Sequence, residues 1–514
     1  MALASRAAAQ TGQTAFVFLV GADTVGIERF TATRQAVTGD IVFRGQPRLT
    51  YLATRAGPGR VGSLSVVAYP AGGGPDAAPL QRVRLRLAGD TGLAEITVDG
   101  ATRTERLATK PDAFLFVSSS VALLELALQR LGGGDSVTFP VLLAAGGQTV
   151  TATLRRASAD SILVRLGPQE AHVVVRGGQL VRLRTPAQQF VERVEGAAVA
   201  RLTLGKPDYS APADAPYGAE PVTVPTPAGH TLAGTLTIPQ GATGRLPVLI
   251  TISGSGPQDR DEYLPLVPAY RPFRQVADTL GRRGIAVLRL DDRGTGESTG
   301  NFATATSADF ADDVRAAIAW LRSRPEVDPA RIVLLGHSEG AMIAPMVAAS
   351  DPRLAGIILL AGPSKSGREV LDDQIRYAVE HDSSIAPAKR DSAFAVRRAA
   401  ADTTAAPPPW MRFFLAHDPL ATIKQVKTPV LILQGATDRQ VTADQAEALG
   451  AALRQTGNRD VKVRVYPDRN HLFLPDTIGA PAGYAHLPSG RVGPEVLGEI
   501  AEWLVGKLAT AASP

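Results

Sequence analysis

Gly336-His337-Ser338-Glu339-Gly340 is the stretch that decides the fold of this chain, because of the sequence on either side of it. Residues 330–335 are β-branched and apolar, which predicts a buried strand, and residues 341–349 are typical of a helix. A serine between two glycines at such a junction is the pattern of a nucleophile elbow, whose sharp turn lifts the hydroxyl above the sheet edge. We therefore predict that Ser338 is a catalytic nucleophile. The alternative is a serine that only tightens a strand-to-helix turn.

A serine nucleophile needs a base, and the base needs a carboxylate that orients it. In the hydrolase arrangement that uses such an elbow, the acid and then the histidine follow the serine in chain order, each after a strand. Residues 429–435 predict a buried strand that leads into a loop with Asp438, and the last predicted strand, 461–466, leads to His471. We expect Asp438 and His471 to meet Ser338 at one edge of the sheet.

Other residues could take these two roles. Of the seven histidines, only His471 and His486 follow the last predicted strand, and His471 is the nearer to it. Asp468 is the alternative carboxylate, and Asp438 could instead be an ordinary helix N-cap. These alternatives stay open at the level of sequence.

The transition state of acyl transfer also needs two N–H donors for the negative charge on the carbonyl oxygen. The strand 248–252 is followed by a glycine-rich loop, 253–261, in which the backbone can approach a substrate closely. We predict an oxyanion hole formed by the backbone amides of Ser255 and Glu339. The alternative is a loop whose glycines serve only to turn the chain.

The composition excludes several other kinds of site. The chain has no cysteine, so that thiolate metal sites and disulfides are absent, and no cluster of His, Asp and Glu has metal-ligand spacing. No phosphate-binding or dinucleotide-binding glycine motif is present, and Asp291-Asp292-Arg293 is interpreted as a buried salt-bridge turn without a catalytic role. We expect no metal and no cofactor.

The charge and hydropathy of the chain indicate a soluble globular protein. The net charge is +5, 45% of residues are hydrophobic, and no basic block is interleaved with aromatic residues. These features give no support to a nucleic-acid partner. No apolar run approaches the roughly 20 residues of a membrane span.

At 514 residues the chain is expected to hold more than one domain. Residues 15–204 are strand-like and interrupted by glycines, with one helix near 121–131 that is apolar nearly all round. This pattern predicts a curved antiparallel sheet around one buried helix, and it resembles bacterial lipoprotein-carrier and related periplasmic β domains. Residues 1–14 are predicted to be disordered or the remnant of a signal peptide.

A proline-rich segment, 205–217, is the predicted linker to a second domain. Across residues 218–510 strands alternate with helices, which predicts a mainly parallel sheet. Residues 364–425 interrupt this alternation with charged, alanine-rich helical sequence. We predict that they form a helical cap over the carboxyl edge of the sheet.

Several segments of the second domain match, in order, the landmarks of one known family. Together with the elbow, they resemble the serine α/β-hydrolases, specifically carboxylesterases of the branch related to the serine aminopeptidase family. The segments are Ser253 to Asp261, Leu290 to Gly296, Trp410 to Leu420, Thr428 to Leu431 and Asn470 to Phe473. The resemblance covers about residues 217–510 and implies an α/β-hydrolase fold, a triad of Ser338, Asp438 and His471, and an oxyanion hole from Ser255 and Glu339.

The chain departs from the family pattern at two places. Ser253 stands where many relatives carry histidine, and Ala341 stands where glycine is common. Neither change removes a required donor.

The sequence therefore predicts a serine carboxylesterase that cleaves esters of short to medium acyl chain through an acyl-enzyme. A peptidase or amidase of the same fold is the first alternative, and a binding protein on a hydrolase scaffold is the second. We expect a small-molecule ester as the partner and a periplasmic or secreted location, with the cytoplasm as the alternative. The oligomeric state and the role of the N-terminal domain do not follow from the sequence.

Overall fold

The computed structural model describes residues 14–510 except for short gaps at 21–22, 45, 71–76, 99, 168, 186–188, 206, 242–243, 265–266, 268, 383–384 and 403–407. The prediction for residues 1–14 therefore lies outside the described residues, apart from Thr14, which begins the first strand. The chain divides into two compact units, residues 1–207 and 208–514. We call them the N-terminal domain and, after the catalytic residues predicted for it, the catalytic domain. The division falls inside the predicted linker.

The described part of the N-terminal domain is one 15-stranded sheet with one α-helix. Its strands are β1 Thr14–Val20, β2 Asp23–Ala32, β3 Ala36–Phe43, β4 Arg48–Gly57, β5 Arg60–Tyr69, β6 Gln81–Ala88, β7 Thr91–Val98, β8 Ala101–Ala108, β9 Phe114–Phe116, β10 Ser136–Leu143, β11 Thr149–Arg156, β12 Ser161–Leu166, β13 Gln169–Arg176, β14 Gln179–Arg184 and β15 Gln189–Glu195. The helix α1 spans Val121–Leu128, and 3-10 turns follow at Gln129–Leu131 and Gly196–Arg201.

This sheet is antiparallel apart from one short pairing, and it wraps around α1. The strand order runs from β8 back to β1, then from β15 back to β9, so that the first and last strands of the domain pair with each other. Among the described strands of this sheet, only β9 and β10 pair in parallel. Residues from both halves of this ladder share one hydrophobic core with the buried side chains of α1. The helix needs no polar face, because it contacts the sheet on several sides.

A buried carboxylate caps the start of this helix. Both oxygens of Glu28 on β2 accept hydrogen bonds: Oε2 from the amides of Val121 and Ala122 at 2.7 and 3.0 Å, and Oε1 from the hydroxyls of Tyr51 and Ser120 at 2.7 and 2.5 Å. Ser120 is itself the N-cap, accepting from the backbone of Leu123. The unpaired amides of a buried helix end are satisfied in this way.

The catalytic domain is an eight-stranded mixed sheet flanked by helices. Its strands are β16 Tyr217–Pro225, β17 Thr231–Pro239, β18 Leu246–Ile252, β19 Ala286–Leu290, β20 Val327–His337, β21 Gly356–Leu360, β22 Val430–Gly435 and β23 Val461–Tyr466. The helices are α2 Pro272–Gly281, α3 Ser307–Ser323, α4 Glu339–Ala348, α5 Gly367–Glu380, α6 Arg390–Asp402, α7 Pro409–Ala416, α8 Pro419–Ile423, α9 Asp444–Gln455 and α10 Pro494–Thr510, with 3-10 turns at Pro387–Lys389 and Pro481–His486.

The strand order is β16-β17-β19-β18-β20-β21-β22-β23, antiparallel at the first two pairings and parallel from β19 onward. One hydrophobic core lies between the sheet and α3, α4, α8 and α9, and the other between the sheet and α2 and α10. Because both faces of the sheet are covered, its central strands are apolar throughout. Helices α5 to α8 occupy the insertion between β21 and β22.

The predicted fold class is confirmed for both parts of the chain: a curved, mostly antiparallel sheet around one helix, followed by a mainly parallel sheet with helices on both faces and a helical cap. No helix in the described ranges is both long and apolar enough to cross a membrane.

Candidate active site

The nucleophile elbow lies between β20 and α4. Ser338 has φ 53° and ψ −114°, a left-handed conformation that costs a non-glycine residue of the order of 1–3 kcal/mol. Its amide donates to the carbonyl of Leu360 on the next strand at 2.8 Å. A Cβ on Gly336 would meet the Gly340 carbonyl, and a Cβ on Gly340 would meet the Ile252 carbonyl. Both glycines are thus required by close backbone packing around the serine.

Asp438 and His471 lie together in the two loops that follow β22 and β23. Nδ1 of His471 is 2.7 Å from Oδ2 of Asp438, and both side chains are buried. A carboxylate only accepts, so that Nδ1 carries the proton and Nε2 is left for a further partner. The same carboxylate accepts from the amides of Gln440 and Val441 and from the side chain of Gln434, at 2.8, 2.9 and 2.9 Å. Asp438 is therefore held in place on several sides.

The two alternative residues lie elsewhere. Asp468 is exposed, and His486 is an exposed residue at the end of a 3-10 turn. Asp438 is not the N-cap of α9 either, since that position is Ala443.

The predicted oxyanion loop runs directly beside the nucleophile. A Cβ placed on Gly254 would lie 3.3 Å from Cβ of Ser338, which shows how closely the loop backbone approaches the elbow. The amide of Gly254 is already paired, with Oε1 of Glu262 at 2.7 Å. In the described part of the chain, the amides of Ser255 and Glu339 have no such acceptor. Glu339 begins α4, where helix amides lack internal partners.

The acidic turn after β19 braces this loop. Asp292 accepts from the hydroxyl of Ser253 at 2.7 Å and from the amide of Gln258 at 2.9 Å, and burial raises its pKa well above the ordinary value. Asp291 forms a buried salt bridge with Arg260 at 2.7 Å. These contacts fit the interpretation of the turn as structural, and they show that it fixes the oxyanion loop.

The side chain of Glu339 links the elbow to the cap. Its Oε1 accepts from the hydroxyl of Ser307 at 2.6 Å and from Nε1 of Trp410 on α7 at 2.7 Å. Burial raises the pKa of Glu339, while hydrogen bonds from Ser307, Trp410 and Ser255 oppose that rise. One carboxylate thus connects the nucleophile elbow, the oxyanion loop and the cap.

A second buried pair, Glu262 with His337, was missed by the sequence analysis. Nδ1 of His337 is 2.8 Å from Oε1 of Glu262, and Nε2 is 2.9 Å from the carbonyl oxygen of His471. The one sequence clue was the position of His337 inside the elbow, where its side chain must point away from Ser338. Nothing in the local sequence identified Glu262 as its partner.

Ser338 and His471 line one cavity of about 500 Å³, together with Ser255 and Glu339. The cap supplies much of the apolar wall, from Val370, Leu371, Met411, Phe414 and Leu415. No Lys, Arg or Asp occurs among the described lining residues. Within the described ranges, no group of three or more His, Asp or Glu side chains could hold a metal ion.

The chain is similar to several known proteins. Residues 271–487 match the sequence model of the prolyl oligopeptidase family. Esterase EstD of Thermotoga maritima is 29% identical over 282 residues, which are 53% of this chain and 65% of that protein. Dipeptidyl aminopeptidase BIII of Pseudoxanthomonas mexicana is 26% identical over 267 residues, covering 49% of this chain and 35% of that protein. The chain thus spans just under two thirds of the length of the first relative.

Among solved structures, an esterase of Pyrococcus furiosus is 18% identical and covers 59% of this chain and 95% of its own, with a TM-score of 0.41. The family match falls within the catalytic domain. The match to the prolyl oligopeptidase family and the similarity to an esterase agree with the resemblance of this domain to the serine α/β-hydrolases of the carboxylesterase branch.

Proposed function

We propose that the catalytic domain is a serine carboxylesterase that works through an acyl-enzyme. His471 takes the proton of Ser338, whose oxygen attacks the ester carbonyl, and the amides of Ser255 and Glu339 stabilise the oxyanion. Asp438 orients His471 and stabilises its charged form. Protonated His471 then releases the alcohol, and water repeats the sequence on the acyl-enzyme. The observation that carries this proposal is the contact between His471 and Asp438 beside a strained serine at an apolar cavity.

The cavity supports an uncharged ester of short to medium acyl chain. Its volume of about 500 Å³ is in the range of small-molecule sites, and its cap side is apolar. Its described lining contains no Lys or Arg that would hold a substrate carboxylate. The two lining carboxylates, Glu262 and Glu339, are buried and hydrogen-bonded within the protein, so they are poorly suited to bind a free amine.

The test is hydrolysis of p-nitrophenyl esters, from acetate to palmitate, by the native protein and by Ser338→Ala. We expect the highest kcat/KM at short to medium chains and a loss of at least about 10⁴-fold in kcat for the variant. A preference for palmitate would reject the chain-length proposal, and unchanged turnover in Ser338→Ala would reject the triad.

A peptidase is the second candidate, favoured by the match to the prolyl oligopeptidase family and by the similarity to a dipeptidyl aminopeptidase. The same residues cleave amides when a site holds the amine leaving group. Aminoacyl p-nitroanilides, assayed alongside the esters, distinguish the two. Anilide turnover that exceeds ester turnover in kcat/KM would replace the esterase proposal.

The role of the N-terminal domain and the periplasmic or secreted location stay predictions. Deletion of residues 1–205, with solubility and ester turnover measured together, tests the first. Cell fractionation of the native host tests the second.

A further inference from the structure

We propose that Glu262 and His337 form a buried charged pair that positions both the oxyanion loop and the catalytic histidine for the reaction proposed above. The inference rests on that proposed function for its kinetic consequences. Both residues act through other groups and are positioning residues, not catalytic ones.

Three loops meet at this pair. Oε1 of Glu262 accepts from the amide of Gly254, the residue before the proposed oxyanion donor Ser255, at 2.7 Å. The same oxygen faces Nδ1 of His337 at 2.8 Å, and His337 immediately precedes Ser338. Nε2 of His337 lies 2.9 Å from the carbonyl oxygen of His471. The carboxylate of Glu262 and the imidazole of His337 therefore connect the oxyanion loop, the elbow and the loop after β23 that carries His471.

In the proposed pair His337 carries two ring protons. Its two nitrogens face an oxygen of Glu262 and a carbonyl oxygen, and with Glu262 ionised, as we propose, neither oxygen can donate. A neutral ring would leave one nitrogen lone pair against an acceptor, and the ring is only 5% exposed, so water cannot relieve that contact. We therefore assign the pair as an imidazolium beside a carboxylate.

The electrostatic surroundings agree with this protonation. Burial by itself lowers the pKa of His337, but the charge of Glu262 and the hydrogen bonds to Glu262 and to the His471 carbonyl raise it above the ordinary value. The charge of Asp438 acts in the same direction.

The backbone at the pair is also strained, which indicates that its geometry is held by neighbours. Glu262 has φ 54° and Phe473, two residues after His471, has φ 57°. Left-handed non-glycine residues persist where surrounding structure fixes them, and they cluster at functional sites. Loss of the pair would allow the oxyanion loop and the loop that carries His471 to move away from Ser338.

The kinetic test uses Glu262→Gln and His337→Asn with p-nitrophenyl butyrate. Glutamine keeps an oxygen for the Gly254 amide but removes the charge that holds the second proton on His337. We expect each variant to lower kcat about 10- to 100-fold with KM within about twofold, because sub-ångström misplacement of catalytic groups affects the transition state more than substrate binding. The double variant should be no worse than the poorer single variant, since both break one pair.

The matched control is His230→Asn. His230 belongs to another histidine–carboxylate pair of the same domain, which is partly buried, with Nε2 at 2.8 Å from Asp313, and it is not among the described lining residues of the cavity. It should lose thermal stability but keep kcat within about twofold. If Glu262→Gln and His337→Asn change kcat no more than this control, the pair is only structural and the proposal is wrong.

A spectroscopic test does not depend on turnover. With histidine labelled in ¹⁵N, the native protein should show two ring N–H signals at pH 6.5 that disappear in His337→Asn. A single ring proton on His337 would overturn the charged pair even if the kinetics agreed. If the native protein hydrolyses no ester, the proposed function fails, and the rate at which diisopropyl fluorophosphate modifies Ser338 then replaces kcat, with the same expected order among the variants.

Discussion

The N-terminal domain and the catalytic domain each bury a glutamate that accepts hydrogen bonds from backbone amides. In the N-terminal domain, Glu28 takes four donors around the start of α1, two amides and two hydroxyls. In the catalytic domain, Glu262 takes the amide of Gly254 and Nδ1 of His337, and its Oε2 is buried without a partner in the described structure. Glu28 caps a helix inside a hydrophobic core, whereas Glu262 connects the loops that carry the candidate site.

Backbone strain differs between the two domains in the same way. Among the described residues of the N-terminal domain, only Asp112 is a non-glycine residue with positive φ. The described residues of the catalytic domain include five, and three of them, Glu262, Ser338 and Phe473, lie in the loops around the cavity. Strain of this kind costs stability and clusters at active sites, so its concentration in the loops around Ser338 supports the proposed active site there. Substitution should therefore distinguish carboxylates that mainly affect the unfolding free energy from those that mainly affect kcat.

The largest effect is expected for Asp438→Asn. The amide would leave His471 without its counter-charge and favour the wrong tautomer, and we expect kcat to fall by about 10⁴-fold, or about 5.4 kcal/mol of transition-state stabilisation. Steady-state hydrolysis of p-nitrophenyl butyrate measures it. Asp468→Asn is the matched control, because Asp468 is exposed in the loop that leads to His471 and should change kcat less than twofold. The reverse order would show that Asp468 is the acid.

Glu28→Leu should give the next largest effect, on stability and not on turnover. Leucine fills similar space but leaves the amides of Val121 and Ala122 unpaired in a dry core, which we expect to cost about 3 kcal/mol of unfolding free energy. Urea unfolding of the full chain followed by circular dichroism measures it. Ester kcat below the transition should stay within about twofold.

Glu28→Gln is the control for that prediction. Its oxygen can accept from both amides and its NH₂ group can donate to the two hydroxyls, so most of the stability should return. A loss as large as that of Glu28→Leu would mean that the negative charge itself, and not the hydrogen bonds, stabilises the helix.

The parts of the site that could be predicted from sequence are those whose chemistry is local. The elbow was identified by five consecutive residues between a strand and a helix, and Asp438 and His471 were placed by chain order after strands. The α1 helix was equally local: an apolar run after serines, capped in the structure by Ser120. In each case the residues that specify the feature are neighbours in sequence.

The parts that could not be predicted depend on distant partners. Glu262 and His337 are separated by 75 positions, and Glu28 and Val121 by 93. Their pairing depends on strand register and on left-handed backbone, neither of which leaves a periodic signal. The pairing of β1 with β15 is similarly long-range, since it joins the two ends of the N-terminal domain. Single-sequence patterns indicate which residues are apolar or polar on an element, but not which elements meet.

A smaller effect is expected for Trp410→Phe, which tests the connection between cap and elbow. Phenylalanine keeps an aromatic wall but removes the donor to Glu339, which retains Ser307. We expect KM to rise about tenfold for butyrate with kcat changed less than threefold, because a hydrogen bond to a charged group contributes about 1.5 kcal/mol or more. Trp320→Phe, at a tryptophan that does not line the cavity, is the control and should leave both constants unchanged.

The smallest effect concerns the pH dependence of stability at Glu28. Burial raises the pKa of this carboxyl above its ordinary value of 4.5, in spite of its hydrogen bonds to Ser120, Tyr51 and the two helix amides. A raised pKa means that the folded state holds the proton more tightly than the unfolded state does. The stability that the protonated Glu28 carboxyl contributes is therefore fully present below pH 4.5. It is lost as pH rises through the pKa of this carboxyl in the folded state.

Glu28→Gln cannot titrate, so it should remove this contribution while it keeps the hydrogen bonds. We expect the difference in unfolding free energy between native protein and variant to shift in favour of the variant as pH rises from 4.5 to about 8. Urea unfolding of both proteins across that range measures it, and Glu95→Gln, at an exposed carboxylate of the same domain, should show no such shift. If the difference instead moves in favour of the native protein as pH rises, the ionised carboxylate is the stabilising form, and Glu28 would then resemble Glu262 as one half of a charge-dependent contact.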